Sequence, residues 1–190
     1  MMVSSRGLAF LRIREGLRLK PYLDSGGVAT IGYGTTIYPN GRAVTMVDPA
    51  LTPEQAESFF QISVQRFAAR VSGELSRTPT QPQFDAMVSL AYNIGIGWRP
   101  PKPPGAKDGF RQSTVLKAFN GGNFQGAQAA FALWRKVGDK VVPGLVARRA
   151  LEAQMFGESV PAPDPAPAAA AAAPWWAGLL DAILRALKMR

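Results

Sequence analysis

The chain has 190 residues, 47% hydrophobic and 18% charged, with a formal net charge of +9. That composition suits one well-packed soluble body with an appendage and leaves too little chain for two full-sized domains. Cysteine and histidine are both absent, which excludes disulfides, thiolate and imidazole metal sites, and the Ser-His-Asp and Cys-His machineries; proton chemistry must therefore rest on carboxylates, lysine or tyrosine.

In chain order, the opening MMVSSRGLAFLRIREG places Arg6, Arg12, Arg14 and Glu15 among its apolar residues. Neither a signal-peptide core nor a membrane span is expected there, so synthesis in the cytoplasm is expected, with any export by another route. Residues 4–15 are predicted to form a helix, apolar at Leu8, Leu11 and Ile13 and stopped by Gly16. From Tyr22 to Ile37 the pattern alternates loosely and is broken by Gly26-Gly27, Gly32 and Gly34, which predicts a small twisted hairpin sheet. Pro39-Asn40-Gly41 reads as a further turn. Thr52-Pro53-Glu54-Gln55 opens a helix with a cap, a first-turn proline and a capping box. Its apolar face comprises Ala56, Phe59, Phe60, Ile62, Val64 and Phe67.

A helix from about Thr80 runs through Phe84, Met87, Val88, Leu90 and Ala91 to Gly95 and is apolar on most sides, as a buried central helix should be. The stretch RPPKPPG at 99–105 can only be a loop. Ser113 and Asn123 are placed to cap two more helices, the second running through Phe131 and Trp134. Pro143-Gly144 then leads into an amphipathic helix that closes at Gly157. The expected class is α+β, mostly α, with one small sheet near the N-terminus.

Beyond residues 1–157 the character changes. Residues 158–174 form a Pro/Ala-rich linker. In residues 175–190, Trp176, Leu179, Leu180, Ile183, Leu184 and Leu187 share one helical face, opposite Asp181, Arg185 and Lys188. This segment is too short and too polar to span a bilayer, but it could lie at an anionic membrane or outer-membrane lipid surface, or dock on protein. The acids and bases of residues 158–190 cancel, so the body carries the whole +9. Such a charge suggests an anionic partner. No zinc spacing, RNP-like string or basic helical arm accompanies it, and nucleic acid is not expected.

The stretch EGLRLKPYLDSGGVATIGYGTT, residues 15–36, holds two acids on either side of a helix-to-hairpin junction. Two carboxylates across a groove are what glycosidic cleavage requires: one protonated to deliver a proton to the leaving oxygen, the other ionised to activate water. Glu15 and Asp24 are the candidates, and Thr30 could hold the attacking water. Taken singly, a Glu at a helix end is usually a surface residue, and an Asp before Ser-Gly-Gly is usually a turn former. Spacing alone does not choose between these readings.

The same stretch resembles the active-site signature of the phage-type lysozymes, glycoside hydrolase family 24: a Glu-Gly pair, aromatic-x-Asp-x-x-Gly, then Thr-x-Gly-x-Gly. The resemblance continues through LTPEQAESFF, QFDAMVSLAYNIGIG, STVLKAFNGGNFQGAQAAFALW and VVPGLVARRALEAQMFG, and covers about residues 5–157. It implies a lysozyme-like fold. It also implies a muramidase that cleaves between N-acetylmuramic acid and N-acetylglucosamine by inversion, in host lysis by a phage or prophage. Glu15 falls on the general acid, Asp24 on the water-activating carboxylate and Thr30 on the water-positioning hydroxyl. The resemblance further implies that an arginine of the last body helix pairs with the acid; Arg148 and Arg149 are the candidates, Arg148 favoured.

Tyr33, Asn93 and Gln112 are candidate sugar contacts, and equally candidates for packing or capping. The implied partners are peptidoglycan as substrate and a holin pore that releases the protein to the wall in the periplasm. A monomer is expected, with no metal and no cofactor. A second reading is a membrane-permeabilising protein acting through residues 175–190. A third is a lytic transglycosylase, against which the pairing of Asp24 with Thr30 argues, because it provides for water.

Overall fold

The structure is a computed structural model that describes residues 1–24 and 26–158. Apart from Glu158, the expected linker (158–174) and amphipathic helix (175–190) lie outside the described residues. Helix α1 (Ser5–Glu15) begins at Ser4, whose hydroxyl accepts from the Gly7 amide. Ser4 is itself held by Asp85, a buried carboxylate that accepts from both its amide and its hydroxyl. Gly7 is where α1 meets that carboxylate: a Cβ there would lie 2.6 Å from Val3 Cγ1 and 2.7 Å from Asp85 Cγ.

Strands β1 (Arg18–Leu23) and β2 (Ala29–Gly32) pair antiparallel, with Arg18 opposite Gly32 and Tyr22 opposite Thr30. Leu51 donates to the Leu19 carbonyl and ties β1 to the start of α2 (Pro53–Ser72). The Thr52 capping box forms as the sequence predicts, and a second forms at Thr80 on α3 (Gln81–Ile94). Then follow α4 (Thr114–Asn120), α5 (Phe124–Ala130), the short strands β3 (Lys136–Val137) and β4 (Lys140–Val141), and α6 (Pro143–Gly157).

Helix α3 is the axis of the body. Phe84, Ala86, Met87, Val88, Leu90 and Ala91 are fully buried among Leu11 of α1, Phe60 and Val64 of α2, Phe119 of α4 and Met155 and Phe156 of α6. A smaller cluster of Ile31, Tyr38 and Val44 packs with Leu51 and Phe59. Neighbouring residues of α2, Phe59 and Phe60, therefore serve different cores, and this helix joins the hairpin region to the body.

Three sequence expectations need correction. Ile13 is 71% exposed rather than core-facing, because Gly7 and Leu11, four residues apart, define the buried face of α1 and Ile13 points away from it. The hairpin starts at Arg18, not Tyr22, since Arg18 and Lys20 occupy the outward positions of β1 and hide its alternation. The helix expected through Trp134 ends at Ala130 and tightens into a 3₁₀ turn at Phe131–Leu133.

The Pro-rich loop is closed at its base. Trp98 Nε1 donates to Asp108 Oδ1 at 2.9 Å, Gln112 Nε2 donates to the Trp98 carbonyl at 2.8 Å, and Arg99 and Arg111 both pair with Glu74 just beyond α2.

Gly7→Ala forces either α1 or Asp85 to move. Overpacking of this kind costs about 1–3 kcal/mol, so the variant should melt several degrees below the native protein in thermal unfolding followed by circular dichroism.

Candidate active site

Glu15 is the last residue of α1, and its position is fixed from both sides. One turn earlier Arg12 makes a two-pronged pair with Glu57 of α2 and lies over the Phe60 ring at 5.3 Å, which holds the end of α1 on α2. Immediately after, Gly16 takes φ 68° and its amide donates to the Arg12 carbonyl, so the helix stops and the chain turns into β1.

The Glu15 oxygens face different neighbours. Arg148 Nη2 lies 2.9 Å from Oε1, though not aligned as a hydrogen bond, so the contact is chiefly Coulombic. Oε2 faces the turn after β2, where a Cβ on Gly34 would lie 3.5 Å from it. That turn is anchored from below: Tyr92 of α3 donates to the Tyr33 carbonyl at 3.1 Å, and the Tyr33 ring packs on Phe60 at 5.0 Å.

Asp24 is both turn former and candidate base. Its Oδ1 accepts from the Gly26 amide at 2.8 Å and the Val28 amide at 2.9 Å. Its Oδ2 accepts no hydrogen bond from the described residues. Thr30 is buried, and its hydroxyl donates to the Val28 carbonyl at 2.9 Å. Val28 thus fixes both side chains, through its amide for Asp24 and its carbonyl for Thr30. Tyr22, opposite Thr30, lies within electrostatic reach of both Glu15 and Asp24; burial first, and those two acids with it, push its phenol above the usual tyrosine range.

Behind Glu15 lies a buried charge cluster. Arg148 Nε donates to Glu152 Oε1 at 3.1 Å, Arg149 Nε is 3.0 Å from Glu152 Oε2, and Ser89 of α3 donates to Glu152 Oε1 at 2.6 Å. Arg149 Nη2 also donates to Asn93 Oδ1 at 2.7 Å. Burial pushes the Glu152 carboxyl up against the pull of the two guanidiniums, and brings Arg149 down to about 10. Burial likewise holds Tyr92 up at about 12.

Of the sequence candidates, Glu15 and Arg148 are in contact; Asp24 and Thr30 lie on the β1–β2 hairpin, both tied to Val28, and Tyr33 packs on Phe60. Asn93 is exposed and orients Arg149. Gln112 binds loop backbone, its Oε1 accepting from the Gly109 amide at 3.2 Å. Glu152 and Ser89 were not singled out in the sequence. The spacing that could have found Glu152 is Arg148 at i−4 and Arg149 at i−3 on one helix. Among the described residues no acidic cluster is placed to hold a metal ion.

A helix-end carboxylate and a hairpin carboxylate, carried on a helical body with one small antiparallel sheet, are parts that a glycoside hydrolase of the lysozyme type requires. The phage lysozyme profile matches residues 12–152. The endolysin of Salmonella phage P22 is 38% identical over 157 residues, covering 82% of this chain and 98% of that one. The endolysin of Bacillus phage PZA is 37% identical over 163 residues; the alignment covers 85% of this chain but only 57% of that longer protein. Among solved structures, the muramidase domain of SpmX from Asticaccaulis excentricus superposes with a TM-score of 0.65 at 28% identity, over 83% of this chain and 98% of that one. The chain belongs to the phage lysozyme family.

Arg148→Ala would leave Glu152 buried with half its compensation, a change worth about 3–5 kcal/mol of stability. In urea unfolding, the double variant Arg148→Met/Glu152→Leu should lose less than the two single variants combined.

Proposed function

We propose that this chain is a muramidase that hydrolyses the β-1,4 linkage between N-acetylmuramic acid and N-acetylglucosamine in peptidoglycan, with inversion, during lysis of a bacterial host by a phage or prophage. The observation that carries this reading is the division of labour among the carboxylate oxygens. Glu15 keeps Oε1 against Arg148 and turns Oε2 towards the hairpin; Asp24 commits Oδ1 to its turn, and its Oδ2 accepts no hydrogen bond among the described residues.

In the reaction, Glu15 delivers its proton to the glycosidic oxygen as the bond from the anomeric carbon to that oxygen breaks. A water on the opposite face forms the new carbon–oxygen bond and gives a proton to Asp24 Oδ2. Because the Thr30 hydroxyl donates to Val28, it meets that water as an acceptor and orients its second hydrogen. Attack from the opposite face inverts the anomeric configuration. Asp24 and Thr30 together supply the water that a transglycosylase does not need. The body's positive charge favours an acidic wall.

Residues 1–157 are the catalytic body in this reading, 158–174 a linker, and 175–190 a segment drawn to anionic lipid. Among the described residues no helix is long and apolar enough to cross a membrane. Access to the wall in the periplasm is assigned to a holin pore.

Incubated with purified peptidoglycan, the native protein should release new reducing ends, and Glu15→Gln and Asp24→Asn should each lower that rate at least about a hundredfold. The first-formed product should be the α-anomer by proton NMR. Solubilised wall without new reducing ends would instead indicate transglycosylation. A chain truncated after Glu158, the last of the described residues, should hydrolyse purified wall at the native rate; loss of activity would make the tail part of the enzyme.

A further inference from the structure

Glu152 is fully buried and faces both arginines of α6, and its polar partners among the described residues are Arg148, Arg149 and Ser89. Its oxygens are divided: Oε1 takes Arg148 Nε and the Ser89 hydroxyl, and Oε2 takes Arg149 Nε. Ser89 completes the enclosure, because its carbonyl and hydroxyl oxygens also accept from Arg148 Nη2 at 3.3 and 3.4 Å. One guanidinium nitrogen of Arg148 therefore approaches the candidate acid, Glu15, while another is bound to a second carboxylate.

This arrangement answers a difficulty in the proposed chemistry. A guanidinium nitrogen lies 2.9 Å from Glu15, against the carboxyl that must hold a proton for the acid step. With Glu15 ionised, two arginines face two carboxylates and the cluster is balanced. With Glu15 protonated, Arg148 must find its counter-charge elsewhere, and Glu152 is the carboxylate bound to it. The groups facing the cluster are Glu15 from α1, Tyr22 from β1, Ser89 and Tyr92 from α3, and Arg148 and Arg149 from α6. Both tyrosines are pushed up by burial and stay neutral near pH 7, so the balance rests on the two acids and two arginines.

We propose that Glu152 is a positioning residue for the acid step: it holds Arg148 in place against Glu15 and takes up part of its charge, so that Glu15 can hold and deliver a proton. The inference rests on the muramidase reading, and its test has one readout that does not depend on activity. That readout is a carbon-13 NMR titration of the Glu15 carboxyl in the native full-length chain and in Glu152→Gln, both checked for folding by circular dichroism. Glutamine keeps the shape and removes the charge. Arg148 then acts on Glu15 alone, and the Glu15 carboxyl signal should change over a lower pH range than in the native chain. The alkaline limb of the hydrolysis rate should move down with it, a loss of about tenfold above the limb with the low-pH rate retained.

A Glu15 titration that stays in place or moves up would overturn the proposal, as would a rate that falls equally at every pH. A native chain that releases no reducing ends would refute the muramidase reading while the NMR comparison still decided the role of Glu152. Should Glu152→Gln not fold, Ser89→Ala, which withdraws the hydroxyl from Glu152 Oε1, should shift Glu15 in the same direction by a smaller amount.

Discussion

Two arginines buried beside the central helix impose the main constraint on this fold. A guanidinium taken out of water is costly unless carboxylates and hydrogen bonds replace the solvent, and here the replacements come from separate elements. Glu152 lies on the same helix, Ser89 and Asn93 on α3, and Glu15 at the end of α1. Helices α1, α3 and α6 are therefore held to one another by charge as well as by apolar packing. The catalytic candidate is one of the four charges in that cluster. Stability and chemistry are thus coupled at Glu15: a change that frees the acid for proton transfer also disturbs the balance that anchors the end of α1.

The opposite wall uses backbone geometry instead of buried charge. Asp24 is placed by two amides of its own turn, and the carbonyl of one of the same residues, Val28, fixes Thr30. The β1–β2 ladder then sets Thr30 opposite Tyr22. Such a hairpin would have little stability in isolation. It is held because Ile31 and its neighbours pack with Leu51 and Phe59, while the turn that follows is fixed by the Tyr92 hydroxyl and the Phe60 ring. Helix α2 reaches both sides of the site, and that explains why a helix carrying none of the proposed catalytic groups bears so many aromatic residues.

The sequence made parts of this arrangement legible because some features are local. The capping box at Thr52 involves residues three apart and appears in the fold as read, and the helix expected from about Thr80 opens with a second one. The helix from Phe84 to Ala91, apolar on most sides, reads as buried, and it is the axis of the core. The two acids were also legible as an ordered motif, although spacing alone could not separate Asp24 the turn former from Asp24 the base; in the structure its Oδ1 serves the turn, and the base role is a proposal for Oδ2. The β3–β4 hairpin was missed. Its strands have two exposed residues each, too few to show a period, and the Gly138-Asp139 turn was the available signal. Ile13 was misplaced because an apolar residue in an amphipathic stretch does not announce which face it is on. Glu152 was overlooked for the opposite reason: a charged residue in a charged helix reads as surface until its two arginine partners are seen to be buried.

The absence of histidine gives the charge cluster a further consequence. Apart from the α-amino group, no side chain here has an ordinary titration range between pH 5 and 8. Any response of the proposed chemistry to pH near neutrality must then come from a carboxylate displaced by its surroundings. Burial displaces Glu152 upward, and it does so at the one acid bonded to the arginine that contacts Glu15. Protonating Glu152 would leave the charge of Arg148 to Glu15 alone, just as removing the carboxylate would, so the pH response of the proposed acid step is tied to the electrostatics of the α3–α6 interface.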